Sequence, residues 1–189
     1  MVIIGITGTL GAGKGTIVDY LVNEKKFMHF SVRSFLLKRI KSLNLPEDRD
    51  SMVQVANELR KNNSPSYIVD QLYEEAKTLG SNSVIESIRT PGEINSLREK
   101  GVFYLFAVDA DPKQRFERIK LRKSETDHVD FSTFLKNEER EMTSTDPNNQ
   151  NLRGCIERAD YLFKNNGTIE ELLQSVDLII SEIENRPNS

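Results

Sequence analysis

The 189-residue chain has one cysteine, Cys155, and no tryptophan. A single cysteine excludes an intrachain disulfide and a zinc site built on paired cysteines, so Cys155 is assigned to packing. Ten glycines and six prolines are too few for a collagen-like or low-complexity chain. An excess of one charge is also missing. Lys and Arg number 26 against 29 Asp and Glu, a net charge of −3. Such a chain is no general polyanion binder, and no polymeric nucleic acid is expected as a partner. No apolar run approaches the roughly 18 residues of a membrane span. The opening Met-Val-Ile-Ile-Gly-Ile-Thr-Gly lacks the basic and long apolar regions of a signal peptide. The expectation is a cytoplasmic protein without a membrane partner, a monomer or weak dimer, with one domain over 1–189.

What is present is an alternation of two patterns. Short β-branched or aromatic runs lie at 2–6, 27–30, 84–85, 102–108 and 161–163. Between them, apolar residues recur at helical spacing, as at Val32, Phe35, Leu36, Ile40 and Leu43. Ser64-Pro65 predicts a helix start, and Thr90-Pro-Gly-Glu93 and Thr168-Ile-Glu-Glu171 have capping-box spacing. Strands separated by helices return in parallel. The predicted fold is therefore α/β: a five-stranded parallel sheet flanked by helices, with a small helical lid. The lid is placed at about 120–150, where the sequence is polar, offers few apolar anchors and contains one helix near 132–142. This composition predicts a mobile element that closes over ATP.

The strongest local signal is Gly8-Thr-Leu-Gly11-Ala-Gly13-Lys14-Gly15-Thr16, between the first strand and the first helix. Glycines let successive backbone N–H groups curl around an anion, the helix N-terminus adds partial positive charge, and Lys14 reaches the β and γ phosphates. This strand–loop–helix setting predicts a P-loop NTPase fold that binds a nucleoside triphosphate.

The Gly-Lys-Gly-Thr form of the loop resembles that of the nucleoside monophosphate kinases, such as adenylate kinase. Further similarity runs through His29-Phe-Ser31, Tyr67 to Ala76, Glu86-Ser-Ile-Arg89-Thr90, Arg118-Ile-Lys-Leu-Arg122 and Ala159-Asp160 through Thr168. The chain is more similar still to the adenylate kinase-related and dephospho-CoA kinase-like branch, through Glu86-Ser-Ile-Arg89 and Glu139-Arg140-Glu141. Phosphomevalonate kinase and phage deoxynucleotide kinase share the layout.

This resemblance implies ATP and Mg²⁺ as cofactors and a nucleotide-like small molecule as phosphoryl acceptor. The donor would lie on Gly8, Thr9, Gly11, Ala12, Gly13, Lys14, Gly15 and Thr16, with Asn166 and Gly167 on the adenine side. Thr16 would ligate the metal and Glu86 would hold it through water. Lys14, Arg118, Arg122 and Arg140 would be catalytic. Arg33, Arg60 and Arg89 would bind the acceptor, within helices spanning about 30–80.

Bland alternatives stand beside these roles: a solvated helix face for Arg33 and Arg60, and a strand-end surface carboxylate for Glu86. Arg115 is expected to be solvated or paired with a neighbour such as Glu117. His29 and His128 are expected to be structural or exposed. The chain departs from the family pattern where Glu86 replaces Asp, where no Pro precedes Arg89, and where Leu37 occupies a phosphate-binding position. Ser31-Val-Arg33 stands where dephospho-CoA kinases show Asp-x-Asp. The implied activity is an ATP-dependent kinase, acting most readily on a (deoxy)nucleoside monophosphate. Dephospho-CoA is the alternative acceptor, and a nucleotide sensor without efficient transfer is the alternative of another class. Asp-x-x-Gly after a strand and Asn-Lys-x-Asp, which a GTPase would need, are absent.

Overall fold

In a computed structural model that describes residues 1–122 and 130–186, the opening apolar run becomes β1 (Val2–Gly8), the centre of a five-stranded sheet. β2 (Met28–Ser31), β3 (Ser83–Glu86), β4 (Val102–Asp109) and β5 (Tyr161–Lys164) complete it in the order β2-β3-β1-β4-β5. All four pairings are parallel. Ile6 stands opposite Glu86 on one side and Phe106 on the other, which brings the ends of β1 and β3 to one edge of the sheet. The crossovers are α1 (Lys14–Asn23), α2 (Val32–Ser42), α3 (Arg49–Asn62), α4 (Tyr67–Leu79), α5 (Pro91–Lys100), α6 (Pro112–Arg122), α7 (Phe131–Met142) and α8 (Leu152–Ile156). α9 (Ile169–Glu184) closes the chain.

Side chains of a strand alternate between faces, so a strand covered on both sides must be apolar at odd and even positions alike. In β1, Ile3 joins Ile85, Phe103 and Leu105 under the helices that carry Leu36, Ile68 and Ile94. Ile4 and Ile6 join Val84, Phe106 and Val108 on the opposite face, against Ile17 of α1 and Val176 and Ile180 of α9. Cys155 lies in the first of these layers, and burial pushes its thiol up to about 12. A thiol held neutral in this way packs and does not react.

Helix starts follow local chemistry closely. Thr90 and Thr168 form the two expected capping boxes. Asp111 accepts the N–H groups of Lys113 and Gln114, which starts α6. The expected start at Ser64-Pro65 is corrected: α4 begins at Tyr67, with Ser66 as its N-cap residue. The Pro65 carbonyl accepts instead from the Thr90 hydroxyl (3.2 Å), so 64–66 form a turn docked on the start of α5.

Glu93, third residue of α5, does more than cap. One carboxylate oxygen accepts the backbone N–H groups of Arg89 (2.7 Å) and Thr90 (3.0 Å). The other accepts Nε (3.1 Å) and Nη2 (2.8 Å) of Arg60. Both side chains are sealed from solvent, at 1% and 0% exposure. The bland alternative for Arg60, a solvated helix face, is therefore overturned.

The expectation of few apolar anchors at about 120–150 is corrected too. Of that range, 123–129 lies outside the described residues, and with it His128. The helix that follows is well anchored. Phe131 and Phe134 of α7 pack on Phe116 of α6, with ring centroids 5.1 and 5.6 Å away. Arg115 is not solvated or paired with Glu117: it is buried, 5.4 Å from the Phe134 ring centroid and paired with Glu138 of α7.

Removing one partner of a buried ion pair leaves an uncompensated charge and typically costs about 3–5 kcal/mol. Glu93→Ala also strips the acceptor from two backbone N–H groups. Urea unfolding should therefore show a loss of about 3–5 kcal/mol. A loss below about 1 kcal/mol would mean that Glu93 does not hold this corner together.

Candidate active site

The loop between β1 and α1 takes a shape that its glycines permit. Gly8 has φ +133° and Gly13 has φ +107°. A Cβ on Gly8 would lie 2.0 Å from the Val108 carbonyl oxygen, and one on Gly13 would lie 2.4 Å from Asn165 Nδ2. Neither position admits a side chain. Lys14 is buried and curls back to donate to the carbonyls of Gly8 (2.9 Å) and Thr9 (2.8 Å). The loop is braced from outside by Thr9 Oγ1 donating to Asp109 (2.8 Å), Asn165 Nδ2 to the Ala12 carbonyl (2.7 Å) and Arg115 to the Leu10 carbonyl (3.2 Å).

A cleft of about 600 Å³ opens from this loop toward α2 and α3. Gly11, Gly13, Lys14, Gly15 and Thr16 line one end. At the other are Arg33, Arg49, Arg60, Arg89, Glu141 and Gln150, beside an apolar wall that includes Leu36, Met52 and Val53. Glu141, almost fully buried at the end of α7, receives Arg49 at 2.6 Å and faces Arg89 at 3.7 Å.

Glu86 lines the cleft between the two ends. His29 Nε2 donates to its carboxylate at 3.1 Å. That hydrogen bond, more than any other influence, holds the Glu86 carboxyl below the usual glutamate range; the charges of His29, Lys14 and Arg89 add to it against the opposing effect of burial. His29 is exposed, as expected, and is also the partner of this cleft carboxylate.

The structure brings Gly11, Gly13, Lys14, Gly15, Thr16, Arg33, Arg60, Glu86 and Arg89 to one cleft. Gly8, Thr9 and Ala12 shape the loop from behind. Other expected residues lie elsewhere. Arg118 donates to the Asn165 carbonyl (2.9 Å), on the side of the loop away from the cleft lining. Arg140 is half exposed and pairs with Asp50 of α3 (3.1 Å). The Arg122 side chain is outside the described residues. Asn166 turns to accept the Asp111 N–H (2.7 Å), and its neighbour Asn165 makes the link to the P-loop instead. Gly167 lines a small cavity of about 80 Å³ with Asn165 and Leu172.

Arg49, Glu141 and Gln150 went unpredicted. Arg49 is the first residue of α3. Glu138 and Glu141 had a legible signal: with Phe134 they recur every three or four residues, so one helix face carries the aromatic anchor and both acids. Arg140 projects from another face.

A family model described as an AAA domain matches residues 4–145. The chain belongs to this AAA domain family. The match covers the P-loop, Glu86, Arg89 and all of α7. Among curated relatives, a UPF0200 protein of Methanococcus maripaludis is 27% identical over 98% of this chain and 99% of its own length. One from Thermococcus kodakarensis is 26% identical over 96% and 97%. Among solved structures, a gluconokinase from Sinorhizobium meliloti superposes with TM-score 0.62 at 14% identity, over 96% of this chain and 93% of that one. A shikimate kinase from Bacteroides thetaiotaomicron gives TM-score 0.61 at 14% identity, over 95% and 98%. At such identities the likeness concerns the fold alone, a P-loop NTPase α/β fold. Among the described residues no helix is long and apolar enough to cross a membrane.

A carboxyl held ionised by the fold adds stability that is complete above its ordinary 4.5 and is lost as pH falls through its lower folded-state value. In His29→Ala the Glu86 carboxyl should titrate higher than in the parent protein, and the stability lost as pH falls below 4.5 should be smaller, because the gap between the folded and ordinary values narrows. Carbon-detected NMR titration of Glu86 checks this. An unchanged midpoint would mean that His29 does not hold the carboxylate.

Proposed function

We propose that the chain is an ATP-dependent small-molecule kinase that moves the γ-phosphoryl group of ATP to a nucleotide-like acceptor. A (deoxy)nucleoside monophosphate is the first acceptor class and dephospho-CoA the second. One observation carries this reading. The P-loop and a cluster of four guanidinium groups (Arg33, Arg49, Arg60 and Arg89) line the same cleft. A nucleotide sensor needs the first end of that cleft and has no use for the second.

The residues present suit ATP and Mg²⁺. A Cβ on Gly13 would meet Asn165 behind the loop, and the space beside Gly15 is open. Among the described residues no group of three His, Cys, Asp or Glu side chains makes a metal cage. Mg²⁺ is commonly held by one or two carboxylates together with substrate phosphates, so Thr16 and, through water, Glu86 are the fitting partners. When bound, Mg²⁺ supplies neutralising charge between the donor phosphates. The P-loop backbone holds the donor, Lys14 releases its carbonyls to meet phosphate oxygens, and Asn166-Gly167 borders the adenine side.

In the transfer, a bond from the acceptor oxygen to phosphorus forms as the bond to ADP breaks. The protein's task is to align the two and to place cations around the transferring oxygens. Arg89, held by its backbone to Glu93, is the acceptor grip. Arg33, Arg49 and Arg60 complete the acceptor end, with α2–α4 as the acceptor-binding helices. α7 is the described part of the lid. Arg118 and Arg140 would take a catalytic part only after a movement of α6 and α7.

A second reading of the acceptor has its own observation. Glu141 already sets a carboxylate on Arg49 and near Arg89, so a small hydroxy acid is a further acceptor class. The names of the gluconokinase and the shikimate kinase neighbours agree with it.

A coupled ADP-release screen over nucleoside monophosphates, dephospho-CoA, gluconate and shikimate tests the proposal. Lys14→Met keeps the buried stem and loses the charge, and should lower turnover by about 10³-fold. Arg89→Ala should raise the acceptor KM at least about tenfold with a smaller change in kcat, as expected for a contact made in the ground state. Full turnover in Lys14→Met would refute the kinase reading. Binding of ATP without acceptor-dependent ADP release would favour the sensor.

A further inference from the structure

Four side-chain atoms in the described residues are closed to solvent and have no hydrogen-bond partner. Two of them, on Asn57 and Arg118, belong to residues that do not line the cleft. The other two are Arg60 Nη1 and Gln150 Oε1, and both residues line its acceptor end. They are opposite in character: one is a cationic N–H donor and the other an acceptor oxygen.

Their positions are held. Arg60 spends Nε and Nη2 on Glu93, which leaves Nη1 as its unpaired nitrogen. The same Glu93 carboxylate holds the Arg89 backbone N–H. On its other side, the Arg89 carbonyl accepts the N–H of Asn151 (2.9 Å), the residue next to Gln150. Asn151 is fixed in turn as the N-cap of α8. Arg60, Arg89 and Gln150 thus share one hydrogen-bonded frame. A buried polar atom left unpaired is destabilising, more so when it is charged, so both atoms are poised for a partner that enters the cleft.

We propose that Arg60 and Gln150 form an acceptor-reading subsite. Arg60 Nη1 donates to an anionic group of the acceptor, and Gln150 Oε1 accepts from a hydroxyl or amino group on the same molecule. This deepens the kinase reading and rests on it only in calling the ligand an acceptor. It selects against anions that lack a neighbouring donor, because such a ligand leaves the Gln150 oxygen buried and unpaired. The anion is a phosphate or a carboxylate, and the test separates them.

The test is calorimetric titration of the full chain, saturated with Mg²⁺ and a non-hydrolysable ATP analogue so that the P-loop is filled. The probes are glycerol 3-phosphate against n-propyl phosphate, and gluconate against hexanoate. At least one hydroxylated anion should bind about tenfold or more tightly than its deoxy counterpart. The pair showing the preference identifies the anion. Gln150→Leu should abolish the preference while sparing affinity for the deoxy probe. Arg60→Lys, which keeps a charge for Glu93 but cannot also serve the ligand, should weaken both members of the pair. Should that variant fail to fold, the guanidinium ¹⁵N resonances of Arg60 in the parent protein should shift as the anion is added.

The subsite is refuted if neither pair shows a preference or if Gln150→Leu keeps it. It is also refuted if neither Arg60 measurement responds. Failure of the kinase reading looks different: no acceptor supports ADP release, yet the binding preferences persist. Conversely, turnover unaltered by Gln150→Leu and Arg60→Lys removes the subsite and leaves the kinase standing.

Discussion

The arginine-lined end of the cleft depends on one ion pair sealed from water. Taking Arg60 and Glu93 out of solvent carries a desolvation penalty that their attraction alone need not offset. What makes the arrangement tenable is saturation of the Glu93 carboxylate, which receives two N–H groups of Arg60 and two from the backbone of Arg89 and Thr90. The consequence is geometric. α3, the start of α5 and the loop after β3 meet on a single side chain, and Arg89 is aimed by that meeting. An apolar pair of the same volume could stabilise α3 against α5, but it could not position a guanidinium.

A second acidic device works from the opposite wall. Phe134, Glu138 and Glu141 run along one face of α7, and each meets a different part of the site. Phe134 packs on Phe116, Glu138 holds Arg115 beneath the P-loop, and Glu141 reaches Arg49 and Arg89. Under the proposed function, an incoming anion at Arg49 or Arg89 would compete with Glu141 and so couple that end of the cleft to α7.

Features governed by neighbouring residues were legible in the sequence. The P-loop glycines, both capping boxes and the five strands depend on chemistry within a few positions, and the structure agrees within a residue or two. The exception among the helix starts, at Ser64-Pro65, failed because Thr90, 25 residues away, takes the Pro65 carbonyl. The arginines were legible as a population and not as individuals. Arg60, Arg115, Arg118 and Arg140 differ in role only through partners distant in sequence: Glu93, Glu138, Asn165 and Asp50. Gln150 carries no local signal at all, since its meaning lies in where the Asn151–Arg89 hydrogen bond sets it. The periodicity of Glu138 and Glu141 was available and would have drawn attention to α7 as a face.

The central claim is that donor and acceptor meet in one cleft for phosphoryl transfer. Its most direct test is the fate of label from [γ-³²P]ATP incubated with the protein, Mg²⁺ and a mixture of nucleoside monophosphates, dephospho-CoA and hydroxy acids. The account predicts that label leaves ATP into an organic phosphate ester or anhydride and that release depends on the acceptor present. Label recovered only as inorganic phosphate, at a rate indifferent to every acceptor, would contradict it.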